Sequence, residues 1–461
     1  MHAHLTPVSS SSDSADSTCP VRPDLPTPQA PTAAFSPAGR SPFSTAPAVD
    51  AAAFDVVPDR RGTASLKWDF AAERGRPENV LPLWVADMDH ATAPAVTNAL
   101  LWRTRHGIFG YSDPDDAYNA ALTGWFSRRY GWQVEAGWNT VTPGVVPALA
   151  LAVRALTAPG EAVLIEEPVY YPFREVVEDN GRTVAAVPLV RDTDGVYRRD
   201  LAALESTIEE TGSRLLLLCN PHNPVGRVWS RDELAALDEV AARHGVVVVA
   251  DEIHADLALP GFATTPFASL SEATAARTIT CTSPSKSFNL AGLQVANILI
   301  ADAHLREAFR RELATTGYSQ PNVLGLTACR AAYEGGEAWL DALREHIAAA
   351  RAHVEARLER IEGIEAAPCE GTYLLWLDCS GFLEATGLEP DELDDVMLHE
   401  AGLWLDDGRI FGAGGEGFTR INIACPRATL DAALDRLEAA VATVTARAGQ
   451  AARRGRVALS A

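Results

Sequence analysis

The sequence predicts an α/β protein, a mostly parallel sheet covered by helices with a smaller α+β domain beside it. Three observations carry that expectation. Short apolar runs alternate with helical patterns between about residues 160 and 301. Two of the runs, Leu215-Leu-Leu-Leu218 and Val246-Val-Val-Val249, lack polar alternation, as strands buried on both faces do. Past residue 336 the pattern changes to long helices separated by strand-like pieces, the mark of a separate α+β layer.

Taken in order, residues 1–53 read as a disordered tail. Nine of the 29 prolines fall in the first 50 residues, mixed with Ser, Thr and Ala, and such a stretch buries too little apolar area to offset its ordering entropy. Strands are expected at 162–165, 215–219, 246–250, 278–281 and 296–300. A helix is expected over 230–244, because Ser230 and Glu233 form a capping box and Gly245 stands where it should stop. Two further helices are expected at 338–362 and 430–446, with strand pieces at 372–377 and 419–423. Residues 449–461, with Arg453, Arg454 and Arg456, read as a frayed end. No internal repeat is evident.

Composition narrows the function. Apolar residues make up 47% and charged residues 22%, enough for a sizeable core. The 61 acids against 39 bases give a net charge of −22, which argues against nucleic-acid partners and against anionic membrane surfaces. No run of 18 apolar residues predicts a membrane span, and no basic segment followed by an apolar run predicts a secretory signal. Cysteines 19, 219, 281, 329, 369, 379 and 425 are odd in number and form no CxxC, so neither a disulfide framework nor a zinc site is expected, and a reducing cytoplasm fits. His399-Glu400 opens like a zinc-protease motif but has no second His at helical spacing, and reads as solvated helix surface.

The chemistry lies where strands end. Asn220-Pro-His-Asn-Pro-Val-Gly226, Asp251-Glu-Ile-His254 and Ser283-Pro-Ser-Lys286 each follow a buried run, so polar groups would converge on one crevice. An amine against apolar walls, such as Lys286, loses proton affinity and can condense with an aldehyde; taken alone it reads equally as a surface lysine. A carboxylate closing a hydrophobic strand, such as Asp251, needs a cationic partner; a pyridinium nitrogen would serve, and so would a metal or a helix N-terminus.

Those motifs, in that order, resemble the aspartate-aminotransferase superfamily of pyridoxal-phosphate (PLP) enzymes, fold type I. Leu81-Pro-Leu-Trp-Val-Ala-Asp-Met-Asp89, His106-Gly-Ile-Phe-Gly-Tyr111, Thr142-Pro-Gly-Val-Val-Pro147 and Lys286-Ser-Phe-Asn-Leu-Ala-Gly-Leu293 look like its MalY/PatB branch, the cystathionine β-lyases or C–S lyases. The resemblance covers about 54–445. It implies a large PLP-binding domain at 96–336 and a small domain built from 54–95 and 337–448.

The resemblance implies the site as well. Lys286 matches the lysine that holds PLP covalently and moves the Cα proton, and Asp251 the carboxylate paired with the pyridine nitrogen. Asn223 matches the amide at the ring oxygen, Tyr170 the stacked aromatic, and His254 either a second cofactor contact or a structural hydrogen bonder. Ser283, Ser285 and the backbone at Gly144, Val145 and Val146 match phosphate ligands, the last three at a helix N-terminus. Tyr111 matches a tyrosine that serves the neighbouring subunit's site, which implies a homodimer. Arg420 matches the clamp for the substrate α-carboxylate; Asn223, Ala86 and Tyr111 are further expected substrate contacts. Trp84, Asp87 and Met88 either line the entrance or pack the small domain. Many aminotransferases place a phosphate-binding arginine eight residues after the lysine; here Gln294 stands there, and the β-lyase branch also lacks that arginine. The implied reaction is β-elimination of cysteine S-conjugates such as L-cystathionine to thiol, pyruvate and ammonia. The alternatives are transamination on the same fold, or a PLP-fold protein that acts mainly by binding a regulatory partner.

Overall fold

The computed structural model describes residues 51–459, with side chains from 53 to 454, so the expected tail lies outside the described residues up to residue 50. Of that tail only residues 51–53 are described, and they enter a turn shared with Phe54 and Asp55, the start of the expected small domain. Ala51–Asp55 form a 3-10 turn, and Phe54 is buried against His90, Trp339 and His346. One large aromatic is enough to fix that turn on the core.

The large sheet has seven strands: β1 (Asn139–Thr142), β2 (Ala162–Glu167), β3 (Thr183–Pro188), β4 (Leu215–Cys219), β5 (Val247–Asp251), β6 (Thr278–Thr282) and β7 (Ala296–Ile300). Their order across the sheet is β1-β7-β6-β5-β4-β2-β3. Only β7 runs against its neighbours; the other pairings are parallel. Five of the seven match the apolar runs read from the sequence. The other two were not legible as strands. β1 is Asn-Thr-Val-Thr, and β3 is an edge strand that alternates exposed and buried residues and ends at Pro188.

The unbroken apolar strands are buried on both faces, as expected. Leu216, Leu218, Val248 and Ala250 enter one core cluster, whereas Leu215, Leu217, Val249 and Ile279 enter another. The longer helices include α1 (Pro94–His106), α2 (Asp116–Tyr130), α3 (Val145–Leu156), α4 (Arg231–His244), α5 (Glu337–Leu358) and α6 (Arg427–Leu459). The capping box of α4 forms both of its bonds, Glu233 N–H to Ser230 Oγ at 3.2 Å and Ser230 N–H to Glu233 Oε2 at 2.9 Å. Gly245 ends it at φ 65°, a left-handed conformation that costs glycine little.

A second sheet, β8 (Glu365–Ala366), β9 (Leu374–Asp378), β10 (Asp406–Asp407) and β11 (Phe418–Asn422), is antiparallel in the order β8-β9-β11-β10. β9 starts at 374 rather than 372 because Thr372 has φ 72°, outside strand geometry. The frayed end expected from 449 is instead helical, since α6 runs on to Leu459. Gln450, Ala451, Ala452, Arg453 and Arg454 are all strong helix formers, and they carry the helix past Gly449. His399 and Glu400 are exposed, with Glu400 paired to Arg447 at 2.5 Å, so the pair is helix surface. No helix among the described residues is long and apolar enough to cross a membrane.

Candidate active site

Strands β1, β2, β4, β5 and β6 point the same way, so the segments after them meet at one sheet edge. They enclose a cavity of about 310 Å³. Gly144, Val145 and Val146 follow β1; Tyr170 follows β2; Asn223 follows β4; Asp251 closes β5, with His254 just beyond; Ser283, Ser285 and Lys286 follow β6; all of them line it, and so do Ala86 and Gln294.

Lys286 sits on one helical turn, Pro284–Ser287. Ser283 caps that turn, its Oγ accepting the Ser285 N–H at 3.0 Å and donating to the Val295 carbonyl at 2.6 Å. Ser287 anchors the far end by donating to buried Asp256 at 2.9 Å. Lys286 Nζ donates to the Ala86 carbonyl at 2.7 Å. Burial pushes its ammonium down to about 8, against the pull of the Asp87 and Asp251 charges and with the push of Arg420. Part of the amine population is therefore unprotonated near neutral pH.

Asp251 is 4% exposed, and burial pushes it up to about 7. The opposing influences are one N–H, from Ile253 at 3.1 Å, and the Lys286 charge. A carboxylate so placed lacks a cation at hydrogen-bond distance. Because its folded-state value lies above the ordinary one, Asp251 favours the cofactor-free fold below about pH 4, and that contribution is lost as pH rises through about 7. Asp251→Asn is therefore expected to raise the stability of the cofactor-free protein at pH 8 by up to about 4 kcal/mol and to change little at pH 4, read by thermal denaturation.

His254 is buried and held neutral, driven down to about 3 by burial and by the Lys286 and Arg420 charges. Its Nδ1 has no partner, and its ring meets Tyr373 edge-on at 6.0 Å. Both ring nitrogens of a neutral imidazole want a partner, so one is left for a guest molecule. The twelve-residue helix α3 opens at the cavity with Gly144 as its N-cap, and its backbone amides together with the Ser285 hydroxyl suit a phosphate, whereas the Ser283 proton is engaged by the Val295 carbonyl. No arginine lines the cavity, and Gln294 takes the place read from the sequence. The unpaired Asp251, the open His254 nitrogen and the α3 N-terminus thus fit a phosphorylated pyridine aldehyde without an arginine clamp.

Arg420, on β11, stands one residue behind the cavity wall. Its Nη1 donates to Asn223 Oδ1 at 2.9 Å and its Nη2 to the Trp84 carbonyl at 2.9 Å. It also pairs with buried Asp406 and lies over the Phe411 ring at 4.9 Å. Burial pushes Asp406 up to about 6 despite the guanidinium. Tyr170 is tied to the Asn223 loop by its N–H to the Asn223 carbonyl at 3.0 Å, and burial pushes its phenol well up.

The remaining expected residues lie outside this cavity. Tyr111 is 93% exposed, on a surface groove with Phe109, Gln320 and Leu324, and does not reach this chain's own cavity. Trp84 stacks on Trp404 at 4.6 Å and Met88 is buried, so both pack rather than line the cavity. Asp87 binds Arg60 outside it. Two site neighbours escaped the sequence reading. Tyr373 donates to the Ala86 carbonyl at 3.1 Å, and Asp406 faces Arg420 across the sheet register. Neither lies in a motif; strand register reveals Asp406, and Tyr373 is placed by its position just before β9.

Comparison with known proteins agrees with this geometry. Residues 78–437 match the family model for aminotransferase class I and II. Cystathionine beta-lyase PatB of Bacillus subtilis is 44% identical over 84% of this chain and 99% of its own length. Protein MalY of Escherichia coli is 34% identical over 82% of this chain and 96% of its own. The crystal structure of cystalysin from Treponema denticola, which contains pyridoxal 5′-phosphate, superimposes with a TM-score of 0.81 at 35% identity, covering 85% of this chain and 99% of that one. With its parallel-strand site, its cofactor cradle and these relatives, the chain belongs to the class I and II aminotransferase family of PLP enzymes, in the MalY/PatB branch.

Proposed function

We propose that this protein is a carbon–sulfur lyase that removes the thiol from cysteine S-conjugates such as L-cystathionine, giving homocysteine, pyruvate and ammonia. The observation that supports it most is the meeting of the Lys286 amine and the Asp251 carboxylate in one cavity, with Arg420 reaching Asn223 on its wall. The branch relatives, named cystathionine beta-lyases, favour elimination over transamination.

Bound PLP supplies an electron sink that stabilises negative charge at the substrate Cα. The chain supplies the rest. Asp251 would hold the pyridine nitrogen protonated, and Asn223 and His254 would face the ring oxygen. Tyr170 would cover the ring face, while Ser285 and the Gly144–Val146 backbone amides would hold the phosphate. Arg420 would orient the α-carboxylate, with Asn223 and the Ala86 carbonyl beside it. Lys286, unprotonated in part at neutral pH, would hold the cofactor aldehyde and, once displaced by substrate, take the Cα proton. With the proton on Nζ, the C–S electron pair leaves with sulfur.

A homodimer completes the reading, with exposed Tyr111 offered to the partner's phosphate and substrate. Mixing inactive Tyr111→Phe and Lys286→Ala subunits should restore activity in the mixed dimers that form, up to one intact site each; no recovery on mixing would remove Tyr111 from the neighbouring site. The six cysteines among the described residues are free and buried, which suits a reducing cytoplasm. The function itself is tested with cystathionine, cystine and alkyl-cysteines. Pyruvate and ammonia without added keto acid are expected; keto-acid-dependent amino transfer without ammonia would make the protein an aminotransferase, and a stoichiometric protein partner with negligible turnover would make it a regulator.

A further inference from the structure

Of the 39 Lys and Arg residues only two are lysines, Lys67 and Lys286, and both bond to the same short stretch of backbone. Lys286 Nζ donates to the Ala86 carbonyl at 2.7 Å, and Lys67 Nζ donates to the next one, Asp87, at 3.0 Å. Lys67 is 1% exposed and balances its charge on Asp89 at 2.8 Å. Arg60 binds both Asp87 carboxylate oxygens at 3.1 and 2.8 Å, the Met88 carbonyl at 3.2 Å and Asp89 Oδ1 at 2.8 Å. Trp68 Nε1 adds a bond to Asp89 Oδ1 at 3.0 Å.

The same stretch is held from the other side by neighbours of the site residues. Asn289, three past Lys286, donates to the Met88 and His90 carbonyls, both at 2.9 Å. Asn422, two past Arg420, donates to the Val85 carbonyl at 2.7 Å and the Asp87 carbonyl at 3.0 Å. Each carbonyl from Val85 to Met88 thus accepts from a side chain, although the stretch belongs to no helix or strand. Backbone that lacks ladder partners depends largely on such bonds; here they act beside two main-chain bonds, Asp87 N–H to the Val85 carbonyl at 2.8 Å and Asp89 N–H to the Ala424 carbonyl at 2.9 Å. Arg60, Lys67 and Trp68 precede residue 78, where the family match begins.

We propose that Lys67 and Arg60 are positioning residues for Lys286: through Asp87 and Asp89 they fix residues 85–90 so that the Ala86 carbonyl receives the ammonium formed when Lys286 takes the substrate's Cα proton. The inference rests on the reading of Lys286 as the base. The proton moves from Cα to Nζ, the electron pair left at Cα forms the Cα–Cβ double bond, and the Cβ–S pair departs with the thiolate. The charged groups acting on Lys286 are Asp87 from this segment, Asp251 from β5 and Arg420 from β11; His254 beside it is neutral.

The test is Lys67→Met combined with Asp89→Asn, which removes both charges of the buried pair at similar volume. In the holoenzyme, kcat on cystathionine is expected to fall about 10- to 100-fold with KM changed less than about threefold, the split left by a displaced catalytic group. In the cofactor-free protein, the rate of PLP recapture against pH reports the free amine, and its midpoint is expected to drop by about one pH unit when the ammonium loses its acceptor. Arg277→Met with Asp238→Asn neutralises an ion pair at the other end of β6 and is expected to leave both readings unchanged. If the first double variant does not fold, Arg60→Gln tests the same claim. A folded variant with the parent kcat and midpoint overturns the proposal, and so does an equal loss in the Arg277/Asp238 control. Turnover that survives in Lys286→Ala would instead overturn the base assignment itself, which keeps the two failures apart.

Discussion

Lys286→Ala is expected to lose the absorbance of covalently held cofactor and to lower pyruvate release from cystathionine by at least about 10³-fold. Two functions go with one side chain: covalent capture of the aldehyde, and proton removal from Cα, the latter alone worth about 10²–10⁴-fold. The fold should survive, because Lys286 is only half-buried and its one polar contact is the Ala86 carbonyl, which keeps Tyr373 as a donor. Absorbance spectra after cofactor addition and a coupled pyruvate assay read both losses. A variant with parental turnover would remove Lys286 from the chemistry.

Arg420→Lys is the second large effect, with an expected fall in kcat/KM of roughly 10²-fold, mainly through KM, while cofactor absorbance is retained. The guanidinium here serves Asn223, the Trp84 carbonyl and Asp406 at once, a fan that a single ammonium cannot reproduce while also presenting two parallel donors to a carboxylate. Lysine is the informative replacement. Alanine would leave Asp406 buried without its cation, at about 3–5 kcal/mol, and confuse folding with function. Steady-state kinetics on cystathionine, with the spectrum as a control, separate clamp loss from cofactor loss; an unchanged KM would mean that Arg420 holds the loop and not the substrate.

The large sheet was legible where burial is two-sided, since Leu215–Cys219 and its neighbours must be apolar along their whole length to sit between two helical layers. The edge strand Thr183–Pro188 and the polar Asn139–Thr142 carry no such signature, and only their partners define them. The same contrast holds in the site. Asp251, Asn223 and Lys286 stand at strand ends within short motifs, so linear order sufficed to place them. Asp406, Tyr373 and the Arg60–Lys67 pair act on the site across long chain separations, and no local pattern distinguishes a buried Asp or Lys that is paired in space from an exposed one.

Because the chain has only two lysines, the covalent anchor can be assigned without ambiguity. Borohydride reduction of the PLP-loaded protein followed by peptide mapping by mass spectrometry should place the whole of the added cofactor mass on the peptide carrying Lys286. Mass found on the Lys67 peptide, or none on either, would contradict the assignment.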